Sequence, residues 1–261
     1  MAAFDGKVGF VTGGGTGIGF ACARAIIEGG GRVMLAGRRQ EVLEAAAAKL
    51  GERAASVCRD VTDDASVEAA ISASVERLGP LTLAVNSAAS GSVGDILRSS
   101  AADFARALQT DLVGVYRCLR AEALAMKRAG GGSIVNISSI AGALTHPWMT
   151  AYCTAKAGVN MLTRCAADDL GEHGIRVNAV MPSLVDTPLV AALSADEGVR
   201  EGYLRRIPPG RPDDVGRFVA ALLSDEAGWV TGQCIGVDGG HTIRQGPNRV
   251  PFFQRFAAPD S

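Results

Sequence analysis

The 261-residue sequence predicts an α/β fold, a doubly wound parallel sheet with helices on both faces, built as one domain. Three observations predict it. A short apolar run, Val8-Gly9-Phe10-Val11, passes through Thr12-Gly13-Gly14-Gly15-Thr16-Gly17-Ile18-Gly19 into a helical segment, Phe20 to Glu28. Short apolar runs then alternate with longer helical stretches along the chain, the pattern of parallel strands joined by right-handed crossovers. Residues with chemical character recur where those runs end, and ligands bind in such sheets outside the carboxyl ends of the strands.

Taken in order, the glycine turn comes first. Glycines let the backbone adopt positive φ and approach a ligand closely. The helix behind them offers unpaired N–H groups and a positive dipole end to a phosphate. The turn is therefore a candidate pyrophosphate cradle, formed by Thr12, Gly13, Gly15, Thr16, Gly17, Ile18 and Gly19. Its spacing is T-G-x-x-x-G-x-G; the G-x-G-x-x-G fingerprint fails because Ile18 and Phe20 stand where it needs glycine. A ligand-free strand-to-helix connection is the alternative at this stage.

Arg32 to Ala36 reads as a second strand, ending at Gly37-Arg38-Arg39, and Gln40 to Leu50 as an alanine-rich helix. Ala54 to Cys58 is a third strand closing on Arg59-Asp60-Val61, and Ser66 to Leu78 a helix stopped by Gly79-Pro80. Leu81 to Val85 runs into Asn86-Ser87-Ala88-Ala89, and Ala101 to Lys127 reads as one long helix broken by Gly130-Gly131-Gly132. Ser133 to Ile137 ends in Ser138-Ser139, with the helix Ala151 to Leu170 behind it. Ile175 to Val180 precedes Met181-Pro182-Ser183, Leu184 to Gly210 is irregular and suits a mobile lid, and Val215 to Leu223 is helical. Gln233 to Val237 is the last strand, before Asp238-Gly239-Gly240. The expected organisation is a catalytic domain over 1–241, including a lid at about 184–210, and a tail over 242–261 carrying Phe252, Phe253 and Phe256.

Composition excludes several function classes. Hydrophobic residues at 48% and charged residues at 20% describe a globular chain, so disorder is excluded. A net charge of −1 leaves no electrostatic footprint for nucleic acid or an anionic membrane. No apolar run is long enough to span a bilayer and no signal sequence is legible, so a cytoplasmic location is expected. Cys22, Cys58, Cys118, Cys153, Cys165 and Cys234 form no C-x-x-C pair and read as buried thiols, and His146, His173 and His241 lack metal-ligand spacing.

Tyr152 and Lys156 lie four apart on a predicted helix and share one face. A phenol titrates near pH 10, and a neighbouring ammonium favours the phenolate. Ser139, thirteen residues earlier at a strand end, can hydrogen-bond a substrate oxygen. Taken alone the Tyr–Lys pair also reads as a surface pair; with the serine and the glycine turn it reads as catalytic.

These residues carry a resemblance. From Lys7 to Gly240 the sequence resembles the short-chain dehydrogenase/reductase family. The matches are Thr12, Gly13, Gly17 and Gly19, Asp60-Val61, the Asn86 motif, Ser139, Tyr152-x-x-x-Lys156, Arg176-Val177-Asn178, Pro182 with Thr187, and Val237-Asp238-Gly239-Gly240. The resemblance implies a Rossmann-type seven-stranded parallel sheet, hydride transfer between a nicotinamide and a carbonyl or alcohol, and a homotetramer packed on the two long helices. It implies Tyr152 as acid–base, Lys156 as the cation that lowers its pKa and holds the nicotinamide ribose, and Ser139 as the group positioning the substrate oxygen. Asp60 and Val61 would meet the adenine, Asn86 would line the cofactor, Pro182 and Val185 would lie beside the nicotinamide, and Thr187 would bond its carboxamide.

Three departures from the family pattern stand out. Asn86-Ser87-Ala88-Ala89 replaces Asn-Asn-Ala-Gly, Pro182-Ser183 replaces Pro-Gly with loss of a permissive glycine, and Asp111 stands where an asparagine usually completes a tetrad. An ionised Asp111 accepts hydrogen bonds without donating. Reaching Lys156, it would partly neutralise the ammonium. Some 2,4-dienoyl-CoA reductases of the family carry aspartate there.

The slot at the end of the second strand that binds the adenosine ribose 2′-OH through an acid in NAD-dependent members holds Gly37, followed by Arg38 and Arg39. A guanidinium can clamp a 2′-phosphate bidentately. NADP(H) is therefore the expected cofactor, with NAD(H) as the alternative, and Arg38 the expected contact. Ser90 to Gly94, His146 to Met149 and Leu184 to Tyr203 would form the substrate pocket, with Trp148 and Leu189 suiting an apolar carbonyl or alcohol. Two further readings remain: a fatty-acyl thioester reductase, with Arg244, Arg249 and Arg255 meeting coenzyme A phosphates, and a non-catalytic nucleotide-binding regulator.

Overall fold

The computed structural model describes residues 3–191, 197–198 and 209–243, and their architecture follows from strands that are apolar on both sides. The strands are β1 (Val8–Thr12), β2 (Arg32–Gly37), β3 (Ala54–Cys58), β4 (Leu83–Asn86), β5 (Gly132–Ile137), β6 (Ile175–Pro182) and β7 (Cys234–Val237). Along β1 and β2, Phe10 and Met34 face one apolar layer, whereas Val11 and Leu35 face the other. A strand covered on both faces must be apolar throughout, which forces helices onto both sides. The first layer is filled by α3 (Asp64–Leu78), α5 (Gly114–Ala129) and α6 (Thr150–Leu170). The second is filled by α1 (Gly17–Glu28), α2 (Gln40–Leu50) and α7 (Pro212–Leu223).

All seven strands are parallel, in the order β3-β2-β1-β4-β5-β6-β7. Chain order therefore reverses between β1 and β4, the switch point at which a crevice opens above the carboxyl ends. The α1–α7 contact is close: a Cβ at Gly216 would lie 2.8 Å from the Ala21 backbone, so a side chain there would push the helices apart. Arg176 on β6 donates to the carbonyls of Leu222, Leu223, Ser224 and Val230, so a cation closes the carboxyl end of α7. Asn178 donates to Val230 O and accepts from Gln233 N, fixing the entry to β7.

Three expectations change. The predicted Ala101–Lys127 helix is α4 (Ala101–Leu108), a π-helical turn over Gln109–Val113 and then α5. The wider turn carries Asp111, whose side chain is wholly buried; such turns are frequent at functional sites. The first helix begins at Gly17 rather than Phe20, its N-terminus lying inside the glycine turn. Of the cysteines, only Cys22 and Cys118 are buried; Cys165 is exposed on the outer face of α6, and Cys58, Cys153 and Cys234 are half-buried. In the 184–210 segment, the described parts are a bridge between Val185 and Gly210 and a 3-10 turn at Pro188–Val190. Tyr203, Arg244, Arg249, Arg255, Phe252, Phe253 and Phe256 lie outside the described residues.

Candidate active site

A cleft of about 670 Å³ opens at the switch point, above the ends of β1, β2, β4, β5 and β6. Its floor is the glycine turn: Gly13, Gly15, Thr16, Gly17 and Ile18 line it. Gly13 has φ +64°, and a Cβ there would lie 2.8 Å from the Ser87 carbonyl oxygen. Gly19 is behind the floor, where a Cβ would meet the Gly13 oxygen at 2.4 Å; the α1 start can approach the turn only without a side chain. Thr12 is also behind it, its hydroxyl accepting from Ser87 N and Ala88 N and tying β1 to the loop after β4.

The amino end of α1 is left open for an anion. Thr16 makes no side-chain cap, and the first turn holds no acidic residue. Such N–H groups form an anion site where the dipole favours negative charge. Thr187 covers the opening from the other side, its Cγ2 lying 3.1 Å from where a Gly17 Cβ would be. Pro182, Val185 and Thr187 line the cleft together with Leu189.

At one end stand Arg38, Arg39, Asp60 and Val61, joined by Arg59. The motifs did not point to Arg59. Gly37 pairs with Cys58 in the β2–β3 register, which brings the residues following each strand to one edge. Among the described residues, none of the three guanidinium groups forms an ion pair; Arg59 donates to the Cys58 carbonyl. Asp60 instead accepts from Thr62 N, organising its own turn.

At the other end Ser139, Tyr152 and Lys156 line one wall. Ser139 follows β5, and its hydroxyl accepts from Ala141 N. Lys156 is 2% exposed; its Nζ donates to Ile137 O at 2.9 Å and lies 5.6 Å from the Tyr152 ring centre. Burial pushes the Lys156 ammonium below its ordinary value, and the negative charge of Asp111 acts against that shift. No ion pair joins Asp111 to Lys156. Its two carboxylate oxygens accept from Ser90 N and Ser90 Oγ, both at 2.7 Å, so Asp111 holds the loop that follows β4.

Asn86 does not turn its side chain into the cleft. It is 1% exposed, and Nδ2 donates to Glu122 Oε2 and Asn136 Oδ1 beneath the sheet. Asn136 in turn donates to Thr163 of α6. Burial raises the Glu122 carboxyl to about 8 against the opposing effect of the Asn86 hydrogen bond, so at neutral pH it is mostly a neutral acid. Nor does the chain need glycine at 183, since Trp148 is the one described non-glycine residue with positive φ. Ser183 lines the cleft, and its Oγ shares a 2.7 Å hydrogen bond with Nδ1 of the buried His241. The expected pocket segments Ser90–Gly94 and His146–Met149 are not among the residues that line the cleft; there Trp148 O accepts from Gly94 N and the Arg98 guanidinium lies 4.9 Å from the Trp148 ring centre. His146 Nδ1 is 3.3 Å from Leu144 O, within its own loop.

Comparison with known proteins agrees with this geometry. A family model described as "Enoyl-(Acyl carrier protein) reductase" matches residues 13–242. Cis-4-hydroxycyclohexanecarboxylate dehydrogenase of Sinomonas cyclohexanicum is 40% identical over 246 residues, covering 92% of this chain and 98% of its own. Meso-2,3-butanediol dehydrogenase of Serratia marcescens is 37% identical, covering 95% and 99%. A short-chain type dehydrogenase/reductase from Mycobacterium ulcerans superposes with a TM-score of 0.89 at 35% identity, covering 97% of this chain and 95% of the other.

Proposed function

The chain belongs to the short-chain dehydrogenase/reductase family, and from that premise we propose that it is an NADP(H)-dependent enzyme interconverting a secondary alcohol and its ketone, with Tyr152 as acid–base. The family makes it an NAD(P)(H)-using oxidoreductase acting on hydroxyl-bearing carbon. One observation carries the finer reading: Ser139, Tyr152 and Lys156 share a wall of the same cleft whose floor is the uncapped start of α1.

The residues present fit a dinucleotide. Free N–H groups at Gly17 and its neighbours suit the pyrophosphate, Asp60 and Val61 the adenine, and Arg38, Arg39 and Arg59 a 2′-phosphate. Pro182, Val185 and Thr187, which line the cleft, would hold the nicotinamide and its carboxamide. Asn86 acts from behind by bracing the β4 end. When bound, the nicotinamide supplies or accepts the hydride.

The chain's own groups handle the proton. Ser139 Oγ holds the substrate oxygen, and Tyr152 gives its proton to that oxygen in reduction or takes it in oxidation. Charge developing on the Tyr152 oxygen is stabilised by Lys156, which the Ile137 carbonyl holds in place and which would also hold the nicotinamide ribose with the cofactor bound. Asp111 is a positioning residue, fixing the Ser90 loop and tempering the loss of the Lys156 proton.

Exposed Leu189, which lines the cleft, favours an apolar substrate body, in keeping with relatives named for a hydroxycyclohexanecarboxylate and a butanediol. Tyr116 and Leu124 on α5 and Met161 on α6 are exposed apolar residues and support tetramer packing on these helices. A catalytic unit over 1–241 with a tail, working in the cytoplasm, completes the reading. No described helix is long and apolar enough to cross a membrane. The description of the family model favours one second reading, a fatty-acyl thioester reductase, and comparing acyl-CoA substrates with free ketones separates the two.

The decisive test is a thermal-shift titration with NADP⁺, NADPH, NAD⁺ and NADH, followed by an absorbance assay of alcohols with the preferred nucleotide. A ligand at 100 times its dissociation constant stabilises the native state by about 2.7 kcal/mol. Preference for the phosphorylated pair is expected. Preference for NAD(H) overturns the role given to the arginines, and no shift with any of the four overturns the dinucleotide reading of the cleft.

A further inference from the structure

Ser183 is part of the cleft wall, and neither it nor its partner His241 has a part in the proton or hydride chemistry. Pro182 pairs with Val237 across β6 and β7, so the residues that follow these two strands leave the sheet side by side. The turn after β7 is braced by Asp238, whose carboxylate accepts from Gly240 N, Thr242 N and the Thr242 hydroxyl. This brace delivers His241, 7% exposed, to within 2.7 Å of Ser183 Oγ. Ser183 in turn lines the same cleft as Ser139 and Tyr152.

β5 and β6 are neighbours in register, Ile137 opposite Val180, so Ser139 and Ser183 follow adjacent strand ends. Adjacent strands are about 4.8 Å apart, so the backbones at these two strand ends stand close, and both serines line the one cleft. A serine here is not a backbone accommodation, because no positive φ occurs at 183. What it adds is a hydroxyl with a fixed partner.

We propose that Ser183 Oγ, oriented by the His241 imidazole, binds a second hydroxyl on the substrate, making the preferred substrate a diol. The inference rests on the secondary-alcohol reading above. Its chemistry follows from the two states of the imidazole. With a proton on Nδ1, His241 donates to Ser183 and leaves the serine O–H free to donate into the cleft. With Nδ1 bare, Ser183 donates to it and presents only lone pairs. A hydroxyl both donates and accepts, so it satisfies Ser183 in either state; a carboxylate or ketone satisfies it in only one. The carboxamide of the nicotinamide, which also donates and accepts, is the other source of the same chemistry.

The test compares cyclohexanol with the 1,2-, 1,3- and 1,4-cyclohexanediols in wild type, Ser183→Ala and His241→Gln, reading the diol-to-cyclohexanol ratio of kcat/KM. One diol isomer should exceed cyclohexanol by about tenfold in wild type, the value of one well-made hydrogen bond, and the ratio should fall toward one in both variants. Dissociation constants of the same alcohols for the enzyme holding reduced cofactor, where no hydride transfer occurs, should show the same pattern whether or not turnover is seen. An unchanged ratio in the variants overturns the proposal, as does an equal fall for diol and cyclohexanol, which marks a structural pair. A weaker cofactor dissociation constant with an unchanged alcohol ratio assigns Ser183 to the carboxamide and also overturns it. Equal affinity of wild type for cyclohexanol and every diol removes the subsite while leaving the secondary-alcohol reading to its own assay.

Discussion

The two ends of the cleft use cations in opposite ways. At the adenosine end Arg38, Arg39 and Arg59 are exposed, and among the described residues they lack ion-pair partners. At the reaction end Lys156 is buried, hydrogen-bonded to Ile137 O and coupled to the buried Asp111. Exposed charges are screened and act by attracting a charged ligand, so they select. A buried charge resists screening and acts on groups a few ångströms away, so it tunes chemistry. One cleft thus separates recognition from reaction by depth.

The largest expected effect breaks the reaction end alone. Tyr152→Phe should lower kcat by roughly 10²- to 10⁴-fold, the usual worth of a positioned acid–base, while the cofactor dissociation constant stays near wild type. Steady-state kinetics and a nucleotide titration on the same preparation check this, and residual turnover within tenfold of wild type would remove Tyr152 from its role.

Beneath the floor, Glu122 probes stability at the reaction end. Its carboxyl is raised to about 8, so between its ordinary value and pH 8 the unfolded chain releases a proton that the native protein keeps. Stability contributed by this group is complete at acid pH, declines as pH rises through that window and levels off above 8, on the order of 5 kcal/mol in all. In Glu122→Gln this contribution to the slope should vanish. Urea unfolding from pH 5 to pH 8 reads it directly, and parallel curves for the two proteins would contradict the assignment.

Single changes at the adenosine end should be smaller and specific to the phosphorylated cofactor. Arg38→Ala or Arg59→Ala should weaken NADPH by about tenfold, the worth of one charge-assisted contact, with little change for NADH. Raising the salt concentration should narrow the gap between wild type and variants. Equal loss of both cofactors would show that these arginines do not read the 2′-phosphate.

The finest test sharpens the reaction end. Asp111→Asn removes the negative charge that opposes the Lys156 shift, so Lys156 loses its proton more easily and its field at Tyr152 is less offset. Both limbs of the pH–rate profile should then move to lower pH. A superimposable profile would mean that Asp111 serves only to hold Ser90.

Local chemistry was readable where it repeats along the chain. The bounds of α2 and β3 match the expected Gln40–Leu50 and Ala54–Cys58, because helix propensity and a bounded apolar run are properties of neighbouring residues. The glycine turn, Ser139 and the Tyr152–Lys156 spacing were readable because each sits at a strand end or on one helix face, so secondary structure alone places it. The π-helical turn at Asp111 was not, since propensity does not distinguish a widened turn from a regular one. Arg59, the inward side chain of Asn86 and the Ser183–His241 contact were equally hidden. Each depends on which strands and helices become neighbours.

From residue order alone follow the alternation of strands and helices, the burial of both sheet faces and the residue types available for chemistry, all consequences of periodicity and short-range sterics. Tertiary structure assigned the partners. Strand register brought Arg59 beside Arg38 and laid His241 against Ser183, and packing of α5 on the sheet set Glu122 under Asn86, across separations of 21, 58 and 36 residues. Such contacts arise from packing of the whole sheet, and no local propensity encodes them.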